Sequence, residues 1–129
     1  MQDESVSLGK RLKKIREQLD KLIAKGDLGS EWQAIHDEEH RIENIIVERN
    51  LSGQKLEKQG DIEDAIRLYE QNVSDEVDTP YPYSRLAVIY RNQNRLADEV
   101  RVLEKAIEVL GQSDKWDKQL AKAREKQSK

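Results

Sequence analysis

Two histidines sit four residues apart in the run His36-Asp37-Glu38-Glu39-His40, and the chain has no others. Positions i and i+4 share one face of a helix, so both imidazoles can reach a single ion there. A glutamate placed between them can serve as a base, and Glu43 offers a third ligand one turn on. That spacing suits metal-assisted hydrolysis. Its setting does not. The run lies in a densely charged stretch, and no Gly-rich substrate strand or second ligand-bearing element accompanies it. A solvated helix face is the expectation, with metal binding or hydrolysis through His36, Glu39 and His40 as the alternative.

Other catalytic chemistry is harder still to find. The chain has no cysteine, which removes disulfides, thiolate ligands and thiol nucleophiles. It has no phosphate-cradling glycine loop and no G-x-S-x-G turn. Carboxylates occur throughout, so no pair is singled out as acid and base. The sequence therefore predicts no catalytic residue, no cofactor and no metal.

The elements that could position any site follow from composition. The 129 residues are 36% hydrophobic and 38% charged, with two prolines and no phenylalanine. Such a chain buries one stripe per helix and leaves the rest in water, which predicts an all-α domain. The formal net charge of −3 argues for neither nucleic acid nor an acidic lipid surface. No apolar run approaches the roughly 18 residues of a membrane span. Residues Met1 to Ser7 are polar and acidic, unlike a signal peptide. A cytoplasmic protein is expected.

Internal repetition supplies the architecture. Displaced by 34 residues, Lys25-Gly26-Asp27-Leu28 falls on Gln59-Gly60-Asp61-Ile62, and that on Gln93-Asn94-Arg95-Leu96. Glycine and asparagine tolerate the left-handed backbone that ends a helix, so a helix stop recurs at one spacing. Leu22, Leu56 and Tyr90 stand four residues before each stop. Trp32, Ile66 and Val100 stand six after it, and Ile35, Tyr69 and Leu103 three further on.

A 34-residue helix-turn-helix period resembles the tetratricopeptide repeat. Tyr83-x2-Leu86-Ala87-x2-Tyr90 is similar to the first-helix pattern, with Tyr for Trp and Ala for Gly. Ala65-x3-Tyr69 is similar to the second-helix pattern, and Gly53 stands where the preceding helix needs a small residue. The likeness is strongest over residues 51–110. It implies stacked antiparallel helical hairpins in a right-handed array. Glu99 departs from the pattern by occupying a small-residue position, so packing there must differ or its side chain must escape to solvent.

A helix map follows. A polar tail spans 1–7, a single helical domain 8–126 and a second tail 127–129. Within the domain, an elongated N-terminal hairpin covers 8–58, repeat-like units 59–110 and a capping helix 113–126. Ser7 is a candidate cap for the first helix, which carries Leu8, Leu12, Ile15, Leu19 and Leu22 on one stripe. No turn signal interrupts residues 31–58, which predicts one helix of nearly 30 residues; a bend near Asn50-Leu51-Ser52-Gly53 is the alternative. Asp61 and Ser113 or Asp114 are candidate caps further on.

Charge is sorted along this map. Residues 10–25 hold seven basic side chains, and residues 27–48 hold seven acidic ones against Arg41 alone. In arrays of the resembled family the first helix of each unit lines a groove that receives peptides. That implies partner-binding residues Tyr81, Ser84, Arg85, Val88, Arg91 and Asn92, joined by Lys115, Lys118 and Lys122 of the capping helix. The implied partner is a protein or peptide, with acidic character suiting the basic strip, and with neither nucleic acid nor membrane. The Leu8-Leu12-Ile15-Leu19 stripe would alternatively serve a homodimer.

Overall fold

The computed structural model describes residues 6–129; most of the tail expected over 1–7 lies outside them. Among the described residues six helices follow in order: α1 (Leu8–Ala24), α2 (Ser30–Lys58), α3 (Ile62–Ser74), α4 (Tyr81–Asn92), α5 (Leu96–Leu110) and α6 (Asp114–Gln127). No strand occurs among the described residues, and the fold is all-helical.

The corners at the common spacing are built alike. Gly26, Gly60 and Asn94 have φ of 72°, 83° and 58°. At each, the corner N–H bonds the carbonyl three residues back and the next N–H bonds the carbonyl five back. The carbonyls in the second set belong to Leu22, Leu56 and Tyr90, the apolar residues that recur before each stop. These paired bonds satisfy helix-end carbonyls that would otherwise lack donors. Ser7 and Ser113 cap α1 and α6, accepting from the backbone of Lys10 and Trp116. At α2 the cap position belongs to Gly29, one residue before Ser30, and the Asp61 carboxylate makes no capping bond to α3.

Residues 31–58 form no hairpin of their own: α2 runs unbroken for 29 residues. It is long enough to carry two partners in succession. Its first half packs on α1 and its second half on α3. Arg11 reaches Glu38, and Arg16 reaches Glu39 and Glu43. Further along, Asn72 of α3 donates to the Ile46 carbonyl and to Asn50, and the Tyr69 hydroxyl donates to Glu57. Gly53 permits this second contact. A Cβ there would lie 2.5 Å from Cε1 of the buried Tyr69 ring, so the aromatic occupies the space that the missing side chain leaves.

Helices α1 and α3 consequently meet end to end on α2. The Gly9 N–H donates to the Asp75 carbonyl at 2.7 Å, and the Leu8 N–H to Asp75 Oδ1 at 3.1 Å. Arg49 of α2 holds the other carboxylate oxygen of Asp75 at 2.6 Å. The C-cap residue of α3 thus fills acceptor roles for the unsatisfied first turn of α1. Beyond this joint, α3 to α6 each pack on their chain neighbours. Tyr83, Leu86, Ala87 and Tyr90 of α4 share a core with Val102, Leu103 and Ala106 of α5, closed by Trp116, Leu120 and Ala123 of α6.

Glu99, the departure from a small residue, stays inside. It is 1% exposed, and its Oε2 accepts from Arg91 Nε at 2.8 Å. The side chain is accommodated by the neighbouring Arg91 cation rather than by escape to solvent.

Candidate functional site

Helix α4 positions most of the residues expected at a binding surface. Pro80 precedes it and Pro82 lies in its first turn, where a missing N–H costs nothing. Tyr83, Leu86, Ala87 and Tyr90 are buried, and Tyr83 donates from its hydroxyl to the Val77 carbonyl at 2.8 Å. Tyr81, Ser84, Arg85, Val88 and Arg91 are partly exposed, and Asn92 is exposed. Their spacing of three and four residues sets them along one side of the helix.

Several are already engaged within the chain. Arg85 holds Glu57 of α2 through Nε at 3.1 Å and Nη2 at 2.5 Å, a paired geometry that fixes both side chains. The Tyr69 hydroxyl bonds the same carboxylate at 2.5 Å, and the Tyr81 ring meets Tyr69 edge-on at 5.9 Å between centroids. Burial pushes the Glu57 carboxyl upward, but the Arg85 guanidinium and the Tyr69 hydroxyl outweigh it and hold the group below the usual carboxylate range. Tyr69 moves the opposite way, raised by burial and by its bond to Glu57. The position next to Arg85 is therefore an internal knot as well as a surface.

Helix α6 adjoins this face at two points. Lys115 reaches Ser84 Oγ at 3.4 Å while lying over its own neighbour, the Trp116 ring. Lys122 joins Arg91 in lining a cavity of about 220 Å³, together with Glu99, Gln119, Ala123 and Lys126. Lys118 is exposed and is bonded to neither α4 nor α5. The opposite side of α6 carries Asp117 and Arg124, which line a separate cavity with Glu104 and Glu108 of α5. The lysines thus collect on the α4 side.

Glu57, Gln119 and Lys126 are participants that spacing alone did not single out. Lys126 follows Lys122 by four residues, a signal available in the sequence. Glu57 gives no such signal, because its role depends on how α2 lies against α4.

The histidine run sits on the first half of α2, away from α4 and α6. Trp32 stacks on His36 at 4.7 Å and His36 meets His40 edge-on at 4.5 Å. The two glutamates that could complete a metal site are turned to Arg16. Among the described residues no cluster of three or more His, Cys, Asp or Glu is arranged to hold a metal ion. Among those residues, too, no helix is long and apolar enough to cross a membrane.

No protein-family model, curated protein or solved structure matches this chain.

Proposed function

We propose that this chain is a non-enzymatic protein-binding module, a short tetratricopeptide-like array that receives an acidic peptide or protein segment along α4 and α6. One observation supports the reading: side chains reach from helices to their next-but-one neighbours along two separate rows. In one row, Glu57 of α2 pairs with Arg85 of α4, and Ser84 of α4 accepts from Lys115 of α6. In the other, Glu70 of α3 pairs with Arg101 of α5. Stacked hairpins produce such alternation, and the outer face of one row becomes an extended binding surface. The cations on that face, Lys115, Lys118 and Lys122, give it the sign that an acidic segment complements. The first half of α2 with α1 departs from a standard repeat and forms an arm beside the array.

Selection of unmodified random peptides on the whole chain tests this. The expected winners are acidic and bind through the α4–α6 face. Lys115→Glu/Lys118→Glu should abolish their binding, whereas Lys13→Glu/Lys14→Glu on α1 should leave it intact. Failure to enrich any peptide, or binding indifferent to the α6 reversal, would sink the reading.

A further inference from the structure

The two arginines of the α4 face hold their carboxylates differently. Arg85 grips Glu57 with Nε and Nη2 together. Arg91 gives Glu99 only its Nε, and its two terminal nitrogens make no hydrogen bond among the described residues. The second oxygen of Glu99 is buried and has no partner there either. A side-on pairing like that of Arg85 was available in kind, yet this one is left half made. Its effect is to brace the guanidinium from behind while two charged donors remain uncommitted.

Arg91 lines the cavity of about 220 Å³ between α4, α5 and α6. Lys122 and Lys126 line it from α6, and neither forms an ion pair among the described residues. Three cations face one carboxylate, a local excess of about two positive charges (3 − 1 = 2). An isolated carboxylate would balance only half of this. A phosphomonoester carries about −1.5 to −2 at neutral pH and three acceptor oxygens, which matches the charge and offers one oxygen to each of the three cations. Arginine braced in a fixed plane beside flexible lysines is a suitable donor set for that group.

We propose that this cavity binds the phosphate of a phosphorylated serine or threonine in the partner, held by Arg91, Lys122 and Lys126, with Glu99 as the positioning residue behind Arg91. The proposal rests on the peptide-binding reading above and specifies what the bound segment carries. Gln119, one turn before Lys122, supplies a neutral donor at the rim. Glu99 disfavours deeper entry of an anion and so sets the depth at which the phosphate stops.

Two titrations of the full chain test it. Inorganic phosphate, followed by amide and arginine side-chain NMR signals, should give saturable shifts confined to Arg91 and residues 119–126. A fluorescent degenerate peptide pool containing phosphoserine should bind about tenfold or more tightly than the same pool carrying serine or glutamate. Lys122→Ala/Lys126→Ala replaces exposed side chains, so the fold should persist by circular dichroism while both effects fall about tenfold. Lys13→Ala/Lys14→Ala should change neither. Unsaturable shifts spread over the lysines of α1, or a double variant that binds as the parent does, overturns the proposal. So does a phosphoserine pool no better than the glutamate pool. Because unmodified acidic peptides are scored separately through Lys115 and Lys118, loss of the phosphate site leaves the groove reading standing, and loss of both removes it.

Discussion

Gly9 and Asp75 are joined backbone to backbone at 2.7 Å, tying the first turn of α1 to the residue that ends α3. There is no room at this joint. A Cβ on Gly9 would overlap the carbonyl groups of Glu76 and Asp75, which are backbone atoms that cannot swing away. Glu76 is itself held at φ 55° and is pinned by Lys10 and Lys105. Gly9→Ala should therefore cost about 1–3 kcal/mol through overpacking. Urea unfolding gives the number, and hydrogen exchange should show α1 losing protection before α4 and α5. A variant within 0.5 kcal/mol of the parent (roughly the scatter of neutral surface changes) would contradict this account.

The Gly53–Tyr69 contact makes a second prediction, on coupling. Gly53→Ala drives a methyl into the Tyr69 ring and should cost about 1–3 kcal/mol. Tyr69→Val opens a cavity beside α2 and should cost about 3–5 kcal/mol. In the double variant the methyl enters the vacated space, so its cost should fall short of the sum of the two single costs by about 0.5–3 kcal/mol. Strict additivity in a double-mutant cycle would show that the two side chains do not share that space.

The pH dependence follows from the groups that burial and pairing displace. Glu57 and Glu76 are held below the ordinary carboxylate range. In both, burial pushes upward and is outweighed, by Arg85 and Tyr69 for Glu57 and by Lys105 and Lys10 for Glu76. A lowered folded-state value means their contribution is present above the unfolded value and is lost as pH falls through the folded one. Stability should decline on the acid side, below about pH 4.5, and Glu57→Gln should flatten that decline. On the alkaline side Tyr90 is pushed up to about 12 by burial and by Glu70, and Tyr69 and Tyr83 rise further. Raised values hold their contribution below about pH 10 and lose it as pH climbs through the folded values. Tyrosinate absorbance should therefore rise together with loss of helical dichroism. Independent titration of these three rings at their ordinary value, with helices intact, would refute it.

What was legible in the residues was what the backbone decides locally. Gly26, Gly60 and Asn94 could be recognised as corners because a left-handed residue admits few side chains, and all three have positive φ. The unbroken α2 was legible from the lack of any breaker over residues 31–58. Gly53 beside Tyr69 was legible through the family resemblance, whose pattern sets a small residue against an aromatic one. Relationships set by distant parts of the chain were not. Nothing near Leu8 announces Asp75, since two helix ends meeting on a third leave no periodic trace. Glu99 was visible as an anomaly, but burial beside Arg91 depended on a geometry that spacing alone could not provide. Arg85 and Arg91 were legible as members of one helix face, but their pairing with Glu57 and Glu99 was not. Charge in a helical sequence identifies a face more readily than it identifies a partner.

The end-to-end meeting of α1 and α3 also imposes an order on biosynthesis. The bond from Leu8 to Asp75 spans 67 residues, so α1 reaches the ribosome exit long before its anchor does. Until Asp75 emerges, the newborn α1–α2 hairpin has only its own seam to hold it, and a two-helix hairpin alone is marginal in water. Arrival of residues 75 and 76 closes the joint and turns a fraying hairpin into a fixed arm. A stop or slow stretch in translation before that point would leave the leucine stripe of α1 open to other nascent chains.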